Sequence, residues 1–496
     1  MTDTDPSAVA VKSADRVAAA AGLRRTIYAL LIVVGAAGVA GRILSVDAVD
    51  SARLEGYLFA TGRPDWQKKT PFLSANDRSR WLTIRSLVER GTYEIDEIIA
   101  EPNWDSIDVV KHDEQGRAAP APGQGHFYSS KPPLLSTILA GEYWLIYHLA
   151  GYSLKDHPYG VGRFMLLTIN VPLLVVMWTL LARYVERYGR TDFGRVFTMA
   201  AAVFATLQTT FAVSLNNHLV AAMSAMVLLD AVVRIVVEGD LRPRRFVQAG
   251  FFAAFLAANE LPALSIAALA GAGLLWRFPR QTLLFGVPAA LVVAVAALGT
   301  NYAAHGTIKP AYGQRDPANN WYVFQYEKGG RVIDSYWSRA DRRSAIDRGE
   351  PSSASYAFHV LVGHHGIFSL TPVWLLTIVG LWRMCRERAS AVRPIAVAIT
   401  VASLVCLAFY LARPQLDRNY GGMAAGFRWV FWFVPLWLVG VLAGADAWAA
   451  SKARRIACYV MLTISVVSVT FPTWNPWTLP WLTQLCEFMG WAKLGS

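Results

Sequence analysis

The stretch "FYSSKPPLLSTILAGEYWLIYHLAGYSL" (127–154) decides how the chain is read. After Lys131-Pro132-Pro133 come about twenty mostly apolar residues, the length that crosses a bilayer. Whether the segment crosses or stays on one surface decides on which side of the membrane each later loop lies.

The rest of the chain arbitrates. It has 496 residues, 54% hydrophobic and 12% aromatic. Apolar runs recur near 26–44, 163–182, 196–213, 218–237, 246–259, 261–277, 282–300, 358–382, 394–412, 428–447 and 456–472. So many runs exclude an ordinary soluble globule and predict a polytopic membrane protein. The formal charge of +12 would suggest nucleic acid in a soluble chain, but here the cations collect in short loops between runs. They fall at Arg24-Arg25, at Arg183/Arg187/Arg190/Arg195, at Arg242/Arg244/Arg245, at Arg277/Arg280, at Arg383/Arg386/Arg388/Arg393 and at Lys452/Arg454/Arg455. That is the positive-inside pattern, and nucleic acid is not an expected partner. If 133–153 does not cross, all these clusters are cytoplasmic; if it crosses, every cluster after the first moves outside. The first reading therefore holds: Lys131 to Leu154 is a juxtamembrane helix at the outer surface, apolar on its buried side.

The expected fold is an all-α polytopic membrane protein with about eleven transmembrane helices. Residues 1–25 form a cytoplasmic tail and 26–44 a first span, preferred over a cleaved signal peptide. Residues 45–160 form a large extracytoplasmic loop carrying juxtamembrane helices. Spans two to seven lie in 161–300, a second outer loop in 301–357, and spans eight to eleven in 358–472. The Trp-rich tail 473–496 suits the outer interface. Within 246–277, Asn259-Glu260-Leu261-Pro262 reads as a turn between two short spans, because Arg244-Arg245 and Arg277 both belong with the cytoplasm and Pro262 suits the start of a helix. The chain is placed in the inner or plasma membrane, N-terminus inside, with its chemistry outside.

Costly polar residues gather on that outer side. In "FLSANDRSRWLTIRSLVERGTYEID" (72–96), Ser74 or Asn76 is placed to cap a helix with an apolar stripe of Trp81, Ile84, Leu87 and Val88. Asp77 sits in its first turn beside Arg78 and Arg80, a pattern that capping and local ion pairing also produce. Lys131 equally fits a lysine snorkelling to headgroups. His218, His364 and His365 lie at outer ends of runs. No His, Asp or Glu grouping has metal-ligand spacing, although His364-His365 with loop acids leaves a divalent metal open.

An outer helix bearing Asp just after the first span, then Lys131-Pro132-Pro133-Leu134 before a long apolar helix, resembles the GT-C glycosyltransferases. The similar branch is that of the protein O-mannosyltransferases and aminoarabinose transferases. "DRSRW" (77–81) is similar to that group's Asp-Glu-x-x-Tyr pattern at Asp77 and Trp81, with Arg78 in place of the glutamate. "VSLNNHLVAA" (213–222), "GHHGIFSLTPVWLL" (363–376) and "YGGMAAGFRWVFWFVPLW" (420–437) follow in the family's order, while Asn259-Glu260 stands where many relatives have Lys-Gly.

The resemblance implies a GT-C-like fold, a polyprenyl-phosphate sugar as donor, inversion by direct displacement, and Asp77 as the base that takes the acceptor's proton. Cations must then stabilise the departing phosphate, a role open to Lys131, Arg80 or Arg428. The candidate substrate-binding residues are Arg78, Arg80, Asp96, Lys131, His218, Glu260, His365 and Arg428, with Glu97 a further acid. No metal or other cofactor is assigned. Membrane lipids are partners, and the acceptor stays open among protein, lipid and glycan. The rival reading is a transporter or flippase of lipid-linked saccharides. Such proteins place ionisable residues at the midplane of two related halves, whereas these runs are nearly charge-free and Asp230/Arg234 reads as a local pair.

Overall fold

The computed structural model describes residues 6–45, 72–101, 103–473 and 475–491. Part of the expected first loop, 46–71, lies outside the described residues, as do the ends of the two expected tails.

The chain is mostly helical. Among the described residues, seven helices are long and apolar enough to cross a membrane: Ala19–Ser45, Pro158–Tyr188, Asn217–Val236, Pro279–His305, Arg393–Leu411, Arg428–Trp448 and Lys452–Thr470. The first belongs to a 40-residue helix, Pro6–Ser45, so the polar leader continues the span as helix.

The other four expected runs are short or interrupted. The run 196–213 divides into Asp192–Phe204 and Leu207–Phe211, because Thr206 between them is extended. The run 358–382 divides into Ser353–Leu361, Ile367–Leu370, a tight turn Pro372–Trp374 and Leu375–Arg386. Pro372 cannot donate the backbone bond that would continue a helix. The runs 246–259 and 261–277 become Pro243–Asn259 and Leu264–Arg277, joined by the turn Leu261–Ala263. Phe246, near the start of this pair, lies 6.0 Å from Phe278, just past its end, so the two helices form a hairpin.

The mostly helical expectation holds; among the described residues three small antiparallel hairpins add a little sheet. Val109–His112 pairs with His126–Ser129, Arg315–Asp316 with Asn319–Asn320, and Gln325–Lys328 with Arg331–Asp334. The last turns on Gly329 and Gly330, both at positive φ (58° and 72°), the two-residue turn whose twist suits a hairpin.

The decisive segment forms the helix Pro133–Leu145, prolonged by the π-turn Ile146–Ala150 and stopped by Gly151 at φ 73°. Just before it, Ser129 Oγ meets Ser79 Oγ (2.7 Å). At its far end Tyr143 donates to Glu89 Oε1 (2.6 Å) and accepts from Leu154 N (2.7 Å). The helix therefore runs alongside Ala75–Glu89 along its length and does not travel to the other end of the molecule. Leu135, Leu139 and Tyr143 are buried, yet Ile138, Trp144, Leu145 and Leu149 are exposed. The helix is apolar on its buried side, and its exposed side is apolar as well.

One end of the bundle gathers the basic loops. Arg24 pairs with Glu186 (2.5 Å) and Asp192 (2.9 Å), Arg187 with Glu238 (3.1 Å), and Arg190 with Glu387 (3.0 Å). Thr191 N donates to Asp446 (2.9 Å). Helix Asn217–Val236 carries Arg234 and Asp230 (2.9 Å) towards this end, and Asn217 and His218 at the opposite one.

Candidate functional site

The site grows from that opposite end. Ser74 caps helix Ala75–Glu89 by accepting from Asp77 N (3.0 Å). Asp77 in the first turn is only 1% exposed. Its Oδ1 accepts from Trp81 Nε1 (2.9 Å), one turn on, and from Leu215 N (3.0 Å). Trp81 of the Asp-x-x-x-Trp pattern is therefore a hand that holds the acid. Burial pushes the Asp77 carboxyl up to about 6, although the Leu215 N–H and the nearby Arg80 charge oppose the rise.

Arg80 turns away from Asp77. Its Nε donates to Asn217 Oδ1 (2.6 Å) and its Nη1 to the carbonyl and side-chain oxygens of Asn76 (2.8 Å each). The sequence Asn216-Asn217-His218 divides three tasks. Asn216 caps its helix by accepting from Leu219 N (3.1 Å), and Asn217 holds Arg80. His218 Nε2 lies 2.9 Å from Arg428 Nη1. A guanidinium only donates, so Nε2 accepts and the ring proton sits on Nδ1, 2.5 Å from Glu260 Oε1. Arg428 Nε donates to Gly421 O (2.5 Å), and its guanidinium lies over the Trp477 ring at 4.9 Å. A Cβ on Gly421, at φ 93°, would sit 2.6 Å from Arg428 Cγ, so only glycine fits.

The first hairpin completes the group. Val109 faces Ser129, and Ser130 N donates to Asp108 O (3.3 Å), which sets Asp108 beside Lys131. Lys131 Nζ is 3.2 Å from Asp108 Oδ1. Burial pushes Lys131 down to about 8, with Asp108 opposing and Arg80 and Arg428 adding to the fall. Burial alone would raise Asp108, yet Lys131, Arg428 and Arg80 hold it below its usual value. Lys131 and Asp108 thus move the same way, because one carboxylate is shared among three cations. Arg80 is itself lowered to about 10, by burial first and Arg428 next.

The cluster is closed at Asp77 and opens at its other side. The side chains of Lys131, Asp108 and Glu260 remain 16%, 19% and 12% exposed. Among the described residues, no hydrogen bond engages Nη2 of Arg80 or of Arg428. Two guanidinium donors and an ammonium beside an opening suit a phosphate. A buried carboxylate near 6 suits a group that takes a proton at neutral pH.

Of the residues singled out in the sequence, Asp77, Arg80, Lys131, His218, Glu260 and Arg428 come together. Arg78 donates from Nη1 to Asp105 O (2.6 Å) instead. Asp96 accepts from Phe127 N (3.1 Å) and lies 3.5 Å from His126 Nδ1, and Glu97 pairs with Arg90 (2.9 Å). His365 stacks on Tyr420 (4.0 Å), the residue before the Gly421 that accepts from Arg428. Asp108 and Asn217 were not singled out. The signal for Asp108 was "VVKH" (109–112) and "HFYS" (126–129): read as paired strands, they set Asp108 opposite Ser130, next to Lys131.

No protein-family model matches the chain, and a search of curated proteins finds no match.

Proposed function

We propose that the chain is an integral membrane glycosyltransferase of GT-C type, moving a sugar from a polyprenyl-phosphate donor to an acceptor on the extracytoplasmic face. The observation that carries this reading is the grouping of Arg80, Lys131 and Arg428 beside the buried Asp77, at the end of the bundle opposite the basic loops. Basic loops belong in the cytoplasm, which sets the cluster outside. The interrupted runs 196–213, 246–259, 261–277 and 358–382 complete the passage to eleven spans.

The chemistry is a direct displacement. The acceptor oxygen bonds to the anomeric carbon, Asp77 takes the acceptor's proton, and the bond from that carbon to the phosphate oxygen breaks. The departing lipid phosphate gains charge as it leaves, and the free donors of Arg80 and Arg428, with Lys131, stabilise that gain. The exposed apolar side of helix Pro133–Leu145 begins just after Lys131, so an isoprenoid tail in the bilayer and its phosphate at the lysine are compatible. The charges sit at one end rather than at the midplane, which speaks against the flippase reading.

Purified protein offered a panel of polyprenyl-phosphate sugars should release polyprenyl phosphate from at least one donor, and Asp77→Asn should abolish that release. Transbilayer movement of lipid-linked sugar in vesicles, with no turnover of any donor, would favour the flippase and overturn the proposal.

A further inference from the structure

A second group of side chains lies beyond this cluster. Glu350, His359 and His364 bring one carboxylate oxygen and two imidazole nitrogens within 4.8 Å of one another. The local chain explains the approach. His359 stands in the last turn of helix Ser353–Leu361, and the turn through Gly363 returns His364 beneath it, the rings 3.8 Å apart at 25°. A Cβ on Gly363 would lie 2.5 Å from His359 Nδ1, so the turn needs glycine to let the two imidazoles meet. Glu350 is anchored by its N–H donating to Arg418 O (3.0 Å).

Each side of the group is oriented from outside. Tyr420 donates its hydroxyl to Glu350 Oε1 (2.9 Å). His364 Nδ1 lies 2.6 Å from His365 Nδ1, and His365 is stacked on Tyr420. Ligands fixed by outer partners in this way are the arrangement that metal sites use. Among the described residues, His359 Nδ1 is buried with no hydrogen-bond partner, an unusual state for an imidazole nitrogen that nothing coordinates.

We propose that Glu350, His359 and His364 form a zinc site. Two imidazoles and one carboxylate suit a borderline-soft ion and leave a fourth position for water, whereas magnesium and calcium favour oxygen donors throughout. The ion clamps the end of the 301–357 loop to the segment that holds Arg428. Tyr356 already donates to Asn419 O (2.7 Å), Tyr420 reaches Glu350, and Gly421 O receives Arg428. The site is independent of the transferase reading and stands or falls without it.

A second trio, Glu94, Asp96 and His126, serves as the control. Its side chains are 36–43% exposed, and Asp96 Oδ2 already accepts from Phe127 N. Full-length protein purified without chelator, loaded with zinc and desalted, should hold about one zinc per chain by elemental analysis. His126→Ala should hold the same, and His359→Ala and His364→Ala less than about a tenth of it. Glu350→Gln, whose amide oxygen still accepts from Tyr420, should weaken zinc affinity at least about tenfold and decides the matter should the histidine variants fail to fold. Zinc should raise the Tm of the wild type and EDTA should reverse the rise, with a smaller rise in Glu350→Gln at the same zinc concentration. A wild type that retains no zinc after loading, or zinc lost from His126→Ala and kept by His359→Ala, overturns the proposal.

Discussion

The two ends of the molecule handle charge in opposite ways. At the arginine-rich end, cations meet acids across loops that water reaches: Arg190 and Glu387 pair with side chains 68% and 37% exposed. At the other end, Arg80 and Arg428 are 5% and 8% exposed and share their acids with Lys131. Exposed pairs contribute about 0–1 kcal/mol each, so they orient a chain more than they stabilise it. Buried charges cost several kcal/mol each to desolvate and concentrate where chemistry needs them. The difference separates a topology signal from a site.

Sidedness is the sharpest way to break this comparison, since its outcome is all or none. On a background freed of accessible cysteines, Ser153→Cys should react from outside with an impermeant thiol reagent and Tyr188→Cys should not. Ser153 follows the helix that stays beside Ala75–Glu89, and Tyr188 ends the helix that leads to the basic loop. Labelling at position 188 from outside would reverse the assignment of the two ends.

Next in size is Asp77→Asn, for which transfer should fall by at least about a hundredfold. The pH behaviour sharpens it. The fold raises the Asp77 pKa from 3.8 to about 6, so its contribution to stability is present below the lower value and lost as pH rises through the upper one. Asparagine removes that dependence, so the variant's Tm relative to wild type should be higher at pH 7.5 than at pH 5. Wild-type turnover should rise with pH through about 6. An active Asn variant would leave the carboxyl a structural role, through its bonds to Trp81 and Leu215 among others, and Asp96 or Glu97 would be tried as base.

Lys131→Ala should weaken donor use by about 1–3 kcal/mol, the loss of one charge-assisted partner, and Lys131→Arg should retain part of it. The lysine is pushed down to about 8, so it is charged at neutral pH and donor affinity should fall as pH rises past that value. Unchanged donor KM and kcat in Lys131→Ala would leave the residue only its structural pairing with Asp108.

Much of the arginine-rich end was legible in the sequence, because its signal is local: cations beside apolar runs. At the opposite end the turn at Asn259-Glu260, marked by Pro262, was legible too. The capping of the Asp77 helix by Ser74 was legible for the same reason. The helix breaks at Thr206 and Pro372 were not, since hydropathy runs on across them while the backbone does not. Nor was the full cluster. Leu215 N reaches Asp77 from 138 residues away, and Asp108 meets the cations through a hairpin register that two short strand-like stretches signal only when read as a pair. Residues that bind through tertiary contacts carry no spacing of their own.

The smallest expected effect tests the arginine-rich end itself. Arg190 Nη2 bonds both oxygens of Glu387 (3.1 and 3.0 Å), a fork that looks strong on distance alone. Water screens both partners, and the long arginine side chain loses rotamer freedom to hold the contact, so the net gain is about 0–1 kcal/mol. Arg190→Ala should therefore move Tm by a degree or two at most and leave transfer unchanged. Raising the salt should shrink even that difference, because exposed charges are screened within about 10 Å at 0.1 M. The same substitution keeps the Arg190 N–H bond to Asp446 (2.8 Å), which holds the loop through its backbone and does not depend on the side chain. A loss of several degrees that salt does not reduce would mean that this end is held by its ion pairs after all, and the contrast with the buried cluster would fail.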